Sequence, residues 1–250
     1  MQHLIHKTLR EIEIQENVRI LLAAESGSRA WGVASPDSDY DVRFIYVRPR
    51  NDYLRLEKVR DVIELPIEGD LDINGWDLSK TLRLLHAANP TLFEWFSSPI
   101  VYRETAFASE FRSIMQQYFS SRRGLYHYLS MARSNYRNYL TGDAVKVKKY
   151  FYVLRPVLAC RWILDKGTPP PMLFTELAES ELDPALFPEV TGLLDMKMNS
   201  PEIRTVPRIE SIDRYLVSSI EEVRSRIVLL PEDTKRGWDE LNRFFLSQLR

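Results

Sequence analysis

LLAAESGSRAWGVASPDSDYDVRFIYV, residues 21–47, is the stretch from which the rest of the chain is read. Val18 to Ala24 is an almost continuous apolar run, long enough for a buried strand. Gly27 and Ser28 end it, Arg29 to Val33 allow one or two helical turns, and Ser35-Pro36-Asp37-Ser38 has turn chemistry. Tyr40 to Val47 is rich in β-formers and predicts a second strand. Asp39 and Asp41 are out of place there if the strand only feeds a core. Side chains alternate along a strand, so the two carboxylates share one face and Tyr40, Val42 and Phe44 take the apolar one. Adjacent carboxylates repel and raise each other's pKa unless a cation lies between them. Oxygen-only ligands of this kind suit Mg²⁺ or Mn²⁺. The plainer alternative is a solvated strand edge.

Outward from this stretch, residues 4–16 predict an opening amphipathic helix, and Val59–Leu65 and Leu71–Trp76 a third and fourth strand. A turn around Glu68-Gly69-Asp70 joins the last two. In the fourth strand Asp72 and Asn74 share a face opposite Leu71 and Ile73. If the second and fourth strands are neighbours, Asp72 completes a triad with Asp39 and Asp41. Three carboxylates can hold two divalent ions roughly 3.5–4 Å apart, the geometry of in-line phosphoryl displacement. Asp77 is the rival third acid, but it falls on the other strand face and is placed to cap the next helix. Gly27-Ser28 adds a backbone that can approach a phosphate closely and a hydroxyl that can donate to it.

From residue 77 onward helical periodicity dominates. Segments are expected at about 107–120, 124–141, 144–164 and 209–228, with a last one near 232–249. Asn89-Pro90 breaks one helix and starts another, Thr168-Pro169-Pro170-Pro171 is a rigid break, and Pro156 should kink the helix that contains it. The chain has 250 residues and a formal charge of −1, so any anion-binding surface must be local. The lone Cys160 in VLACRWI excludes an internal disulfide framework and reads as a small buried hydrophobe. No apolar stretch approaches the roughly 18 residues of a membrane span, and the N-terminus has no signal-peptide core. A cytoplasmic protein without membrane attachment is the expectation. The four histidines have no zinc spacing.

Strand, Gly27-Ser28, then Asp39-x-Asp41, then a third acid on a later strand resembles the DNA polymerase β-like nucleotidyltransferase superfamily. The longer wording ESGSRAWG…SPDSDYDVRFIYV, with LDINGWDLSKTLRLLHAANPTLFEWFSSPIVY and KKYFYVLRPVLACRWI, is similar to the predicted bacterial and phage nucleotidyltransferases of the RNA repair pathway polymerase β family, over about residues 18–165. The resemblance implies an α+β fold. Residues 1–100 would form a small mixed-sheet nucleotidyltransferase domain, and residues 101–250 a helical domain closing the nucleotide cleft. It implies that Gly27 and Ser28 hold the β- and γ-phosphates of a nucleoside triphosphate such as ATP. Asp39 and Asp41 would ligate both metals, and Asp72 would ligate the catalytic one and help deprotonate the attacking hydroxyl. A nucleoside monophosphate then passes to a hydroxyl and pyrophosphate leaves. An RNA end, a protein side chain and a small molecule such as an aminoglycoside remain open as acceptors. A protein-modifying adenylyltransferase of the toxin–antitoxin kind is the first alternative, and a catalytically silent nucleotide-binding module the second.

Further candidates each have a plainer reading. Arg29 and Arg43 can clamp a phosphate, while Arg43 shares a face with the acids and can simply pair with them. Glu25 can orient Arg29 or be a loop charge. Trp31 and Trp76 can stack a base or pack in a core. Lys148, Tyr152 and Arg155 form one stripe of a helix, with Lys149 beside it. The superfamily resemblance suggests that such groups meet the triphosphate, and a solvated helix face is the alternative. SRRGLYHYLSMARSNYRNYL interleaves Arg122, Arg123, Arg133 and Arg137 with aromatic residues, a composition that suits single-stranded RNA as well as a helical core.

Overall fold

A computed structural model describes residues 1–67, 69–232 and 236–249. The chain divides into two units. The first comprises Met1–Gly27, Asp39–Tyr118 and Lys235–Arg250, and the second Ser28–Ser38 and Phe119–Thr234. In chain order the first unit opens with α1 (Gln2–Gln15) and β1 (Arg19–Glu25). The single turn α2 (Gly27–Ala30) passes into the second unit at Ser28, and the first unit resumes with β2 (Tyr40–Val47), β3 (Val62–Glu64) and β4 (Leu71–Asp77). Next come α3 (Leu78–His86), α4 (Pro90–Phe96), β5 (Val101–Glu104) and α5 (Ala106–Tyr118). The second unit holds α6 (Ser121–Tyr139), β6 (Ala144–Lys146), α7 (Val147–Lys166), α8 (Phe174–Glu181), α9 (Phe187–Met198), β7 (Thr205–Pro207) and α10 (Glu210–Ile227). The last helix, α11 (Asp239–Gln248), belongs to the first unit.

Five strands form one mixed sheet in the order β3-β4-β2-β1-β5. The α+β class expected from the sequence is the observed one. β2 pairs antiparallel with β1 and parallel with β4, and that parallel register sets Asp41 opposite Asp72. β1 is buried along all but its first residue, as its unbroken apolar run requires. Ile5, Leu9 and Ile12 of α1 pack with Val42, Phe44, Tyr46, Leu71 and Ile73 into one cluster. Gly75 is required beneath it, because a Cβ there would lie 2.1 Å from the Phe44 ring. Asp77 caps α3 by accepting from the Ser79 amide at 2.7 Å, and Asn89 caps α4 in the same way from Thr91 at 2.9 Å. Phe96, Phe107 and Phe111 stack together and meet Phe244 of α11.

α7 is the core of the second unit. Tyr150, Phe151, Leu154, Val157, Leu158, Cys160 and Ile163 are all buried, so the helix is apolar nearly all round. It runs unbroken through Pro156 and ends on Gly167, whose φ of +68° is the left-handed cap that glycine adopts without strain. The expected helix 144–164 starts later, because residues 144–146 pair with 205–207 as a short antiparallel ladder. β5, α8 and α9 were not expected from the sequence. Glu68 of the predicted turn, and residues 233–235 within the predicted last helix, lie outside the described residues. Among the described residues no helix is long and apolar enough to cross a membrane.

Candidate active site

The acids gather at one end of the interior strands β2 and β4, beside the end of β1. Asp39 precedes β2 and is exposed, while Asp41 is the second residue of β2 and is partly buried. Asp72 stands across from Asp41 on β4. The Arg43 guanidinium lies between these two acids, donating to Asp41 Oδ1 at 2.9 Å and to Asp72 Oδ2 at 2.8 Å. It also donates to the backbone carbonyls of Val42 and Asp72. Of the two readings of Arg43, the pairing with the acids is therefore realised. Burial pushes the Asp41 carboxyl above the usual aspartate range. Arg43 opposes this, and the negative charges of Asp72 and Asp39 add to it.

Gly27 is pressed against the same carboxylate. Its φ is +59°, and a Cβ there would fall 2.0 Å from Asp41 Oδ2. Only glycine satisfies both constraints. The start of β2 is fixed from β1 as well. The Ser26 amide donates to the Asp41 carbonyl at 2.8 Å, and the Asp41 amide donates to Glu25 Oε1 at 2.6 Å. Glu25 is 0% exposed, and its other oxygen accepts from the Tyr102 hydroxyl of β5. It is thus not a loop charge but a buried acceptor that positions the Asp41 backbone. The sequence carries no local sign of this, since Tyr102 lies 77 residues further on. Asp77, the rival third acid, pairs in register with Tyr46 at the far end of β4 and is occupied by the Ser79 amide and the Tyr53 hydroxyl. Trp76 packs against Trp95, with ring centroids 4.0 Å apart.

Two oxygen donors that already converge on one positive centre fit a hard divalent cation. Among the described residues, no group of three or more His, Cys, Asp or Glu side chains is arranged to hold a metal ion. The expected triad is therefore two acids bridged by Arg43, with Asp39 close enough to act on Asp41 electrostatically.

In the second unit, the loop that follows Gly27 is tied down by polar contacts. Arg29 donates to the Ser38 carbonyl at 2.6 Å. The Ser38 hydroxyl donates to Glu202 at 2.9 Å, the Glu202 amide donates to Asp37 at 3.0 Å, and Lys148 pairs with Glu202. The buried Lys197 donates to the Ser35 hydroxyl at 3.1 Å. Lys197 and Glu202 were not singled out in the sequence, where nothing local links them to Ser35 and Ser38. Lys149 sits over the rings of Tyr139 and Tyr152, at 3.5 and 4.7 Å from their centroids. Arg155 is 1% exposed and lies over the Trp31 ring at 4.7 Å, while Tyr152 meets Trp31 edge-on. The stripe of Lys148, Tyr152 and Arg155 is therefore not a solvated face. Lys148 is partly exposed and ion-paired, and Arg155 is internal.

The chain matches the RNA repair pathway DNA polymerase beta family over residues 1–247. A Bacillus subtilis (strain 168) protein, the uncharacterized protein YcgL, is 47% identical over 249 residues, which covers 99% of this chain and 96% of that protein. The crystal structure of a nucleotidyltransferase-like protein from Exiguobacterium sibiricum aligns with 90% of this chain and 76% of its own, at 15% identity and a TM-score of 0.31. That likeness is too distant to carry an argument, whereas the family match spans nearly the whole sequence. The chain belongs to the RNA repair pathway DNA polymerase beta family, and with it to the polymerase β-like nucleotidyltransferases.

Proposed function

We propose that this protein transfers a nucleoside monophosphate from a nucleoside triphosphate to a hydroxyl group. One observation carries the reading. Asp41 and Asp72, in register on neighbouring parallel strands, converge on a single cation beside a glycine backbone that no side chain may crowd. Two Mg²⁺ or Mn²⁺ ions held by Asp39, Asp41 and Asp72 would neutralise triphosphate charge and lower the pKa of the attacking hydroxyl. Asp72 accepts the hydroxyl proton on its carboxylate. The acceptor oxygen forms a bond to the α-phosphorus, the bond from that phosphorus to its bridging oxygen breaks, and the electron pair leaves on pyrophosphate. Gly27 lets the backbone approach the β- and γ-phosphates, and the Ser28 hydroxyl donates to them. Arg29 holds the following loop through the Ser38 carbonyl. Arg43 stands between the acids where a divalent ion would stand, and so competes with it for Asp41 Oδ1 and Asp72 Oδ2. Going by the family resemblance, Lys148, Lys149 and Tyr152 would offer amines and a hydroxyl to phosphate oxygens, whereas the internal Arg155 supports Trp31 and is not a phosphate ligand.

The test is incubation with each α-labelled nucleoside triphosphate, with Mg²⁺ or Mn²⁺, in the presence of RNA, protein and small-molecule hydroxyl acceptors. Labelled acceptor and pyrophosphate are expected, and Asp41→Asn with Asp72→Asn should abolish both while the protein stays folded. Turnover that survives the double variant would refute the assignment.

A further inference from the structure

A second binding feature lies wholly within the second unit. α6 and α10 line an open groove of about 780 Å³. On α6 the groove-facing positions include Tyr126, Ser130, Arg133, Ser134 and Arg137, which recur at helical spacing as one stripe. Arg133 and Arg137 are exposed and make no ion pair among the described residues. Arg224 of α10 lines the same groove and has one weak partner, Glu221, at 3.5 Å. Among the described residues that line it, Glu221 alone is acidic. Leu129, Ile220 and Ile227 supply an apolar floor. Tyr126 is 49% exposed, which a ring of that size tolerates at some cost unless something covers it.

We propose that this groove binds single-stranded RNA, three arginines taking backbone phosphates and Tyr126 stacking a base. The charge balance selects a polyanion, since three guanidiniums face one carboxylate. The spacing favours a strand over an isolated phosphate. Arg133 and Arg137 are four residues apart on one face, about 6 Å along the helix axis, comparable to the step between successive phosphates of an extended strand. Guanidiniums alternating with an aromatic face and hydroxyls serve single strands without demanding a base sequence. The groove would then hold the strand whose end accepts the nucleotide. That last role rests on the nucleotidyl-transfer reading, whereas the binding itself does not.

The experiment uses the full chain with EDTA and a fluorescein-labelled, mixed-sequence 12-nucleotide RNA, followed by anisotropy between 50 and 200 mM salt. Wild type is expected to bind. Arg133→Glu/Arg137→Glu should weaken binding at least tenfold. It should also flatten the plot of log K against log salt by about 1.4, because each single-strand phosphate contact contributes about 0.7. Tyr126→Ala should weaken binding by roughly fivefold or more through lost stacking. Arg10→Glu/Lys58→Glu makes the same charge change on exposed residues of the first unit and should leave binding unchanged. Circular dichroism and melting of each variant confirm that it is folded. No binding by wild type at 50 mM salt overturns the proposal, as does equal loss in the groove and control variants. Capture of an acidic peptide or of anionic vesicles through Arg133 and Arg137, with RNA ignored, overturns it too. RNA binding without nucleotide transfer would sink the proposed reaction and leave the groove assignment standing. Transfer to another acceptor without RNA binding would do the reverse.

Discussion

Arg43→Met should reveal how far the acid pair depends on its resident cation. The guanidinium makes two ion pairs, at 2.8 and 2.9 Å, with side chains that are 19% exposed for Arg43, 29% for Asp41 and 33% for Asp72. Exposed pairs contribute about 0.2–1 kcal/mol and breaking a buried one costs about 3–5 kcal/mol, so each partly buried pair here stands near 1 kcal/mol. Removing Arg43 also leaves Asp41 and Asp72 facing each other across one β-ladder step. The sum is about 2–3 kcal/mol, or a fall in Tm of roughly 5–10 °C at 2–4 °C per kcal/mol. Methionine keeps the packing volume, so the loss is mainly electrostatic. A divalent ion should substitute for the missing charge. Ten millimolar Mg²⁺ acting with a dissociation constant near 1 mM would return about 1.4 kcal/mol to the variant. Wild type should gain less, since Arg43 competes for the same oxygens. The assay is thermal unfolding of both proteins in EDTA and in Mg²⁺, followed by the near-ultraviolet signal of the tryptophans. Equal Tm values in EDTA, or an equal Mg²⁺ gain in both proteins, would refute the reasoning.

Gly27→Ala should abolish nucleotide transfer and lower stability by roughly 1–3 kcal/mol, because the new Cβ meets the Asp41 carboxylate at a positive φ; turnover and urea melts read the two effects. Glu25→Ala should cost about 2–4 kcal/mol by leaving the Asp41 amide and the Tyr102 hydroxyl without their acceptor. Its urea midpoint should fall with no change in slope. Glu202 supplies a pH test in the second unit. Burial pushes its carboxyl up, but the hydrogen bonds from Lys148 and Ser38 outweigh burial and hold it below its ordinary value of 4.5. A carboxylate with a lowered folded pKa stabilises fully above its unfolded value, and that stability is lost as pH falls through the folded one. Thermal melts from pH 3 to 7 should therefore show wild type losing Tm below about pH 4.5 more steeply than Glu202→Gln, with the variant lower by about 1 kcal/mol at pH 7.

The strands that carry the acids were legible because their signals are local. Period-two alternation sets Asp41 against Val42 and Asp72 against Ile73, and the observed parallel pairing of β2 with β4 makes the two acids neighbours. The cap at Asp77 and the break at Asn89-Pro90 were readable for the same reason, while the cap that Asn89 supplies to the Thr91 amide was found only in the structure. Other elements offered less. β6 and β7 are three residues long, too short to show a period. α8 and α9 are preceded at their N-cap positions by Leu173 and Leu186, neither of which provides a side-chain cap. Arg155 misled in another way. Its i+7 relation to Lys148 placed it on a basic stripe, but α7 is enclosed on nearly every side, so sharing a stripe does not bring sharing of solvent.

Glu25 shows where local reading ends and long-range packing begins. A carboxylate at the end of an apolar strand has no period or partner within reach of a sequence window. Its burial is tolerable only because the Asp41 amide and the Tyr102 hydroxyl, from two other strands, both point at it. The consequence concerns the acids themselves. Asp41 is held through its backbone by Ser26 and Glu25, and its carboxylate is confined by Gly27 on one side and Arg43 on another. Asp39 has left the strand ladder and sits exposed before it. The two acids of one short motif thus differ in setting. Asp41 comes pre-positioned at a cost supplied by the fold, and Asp39 stands exposed just before the strand.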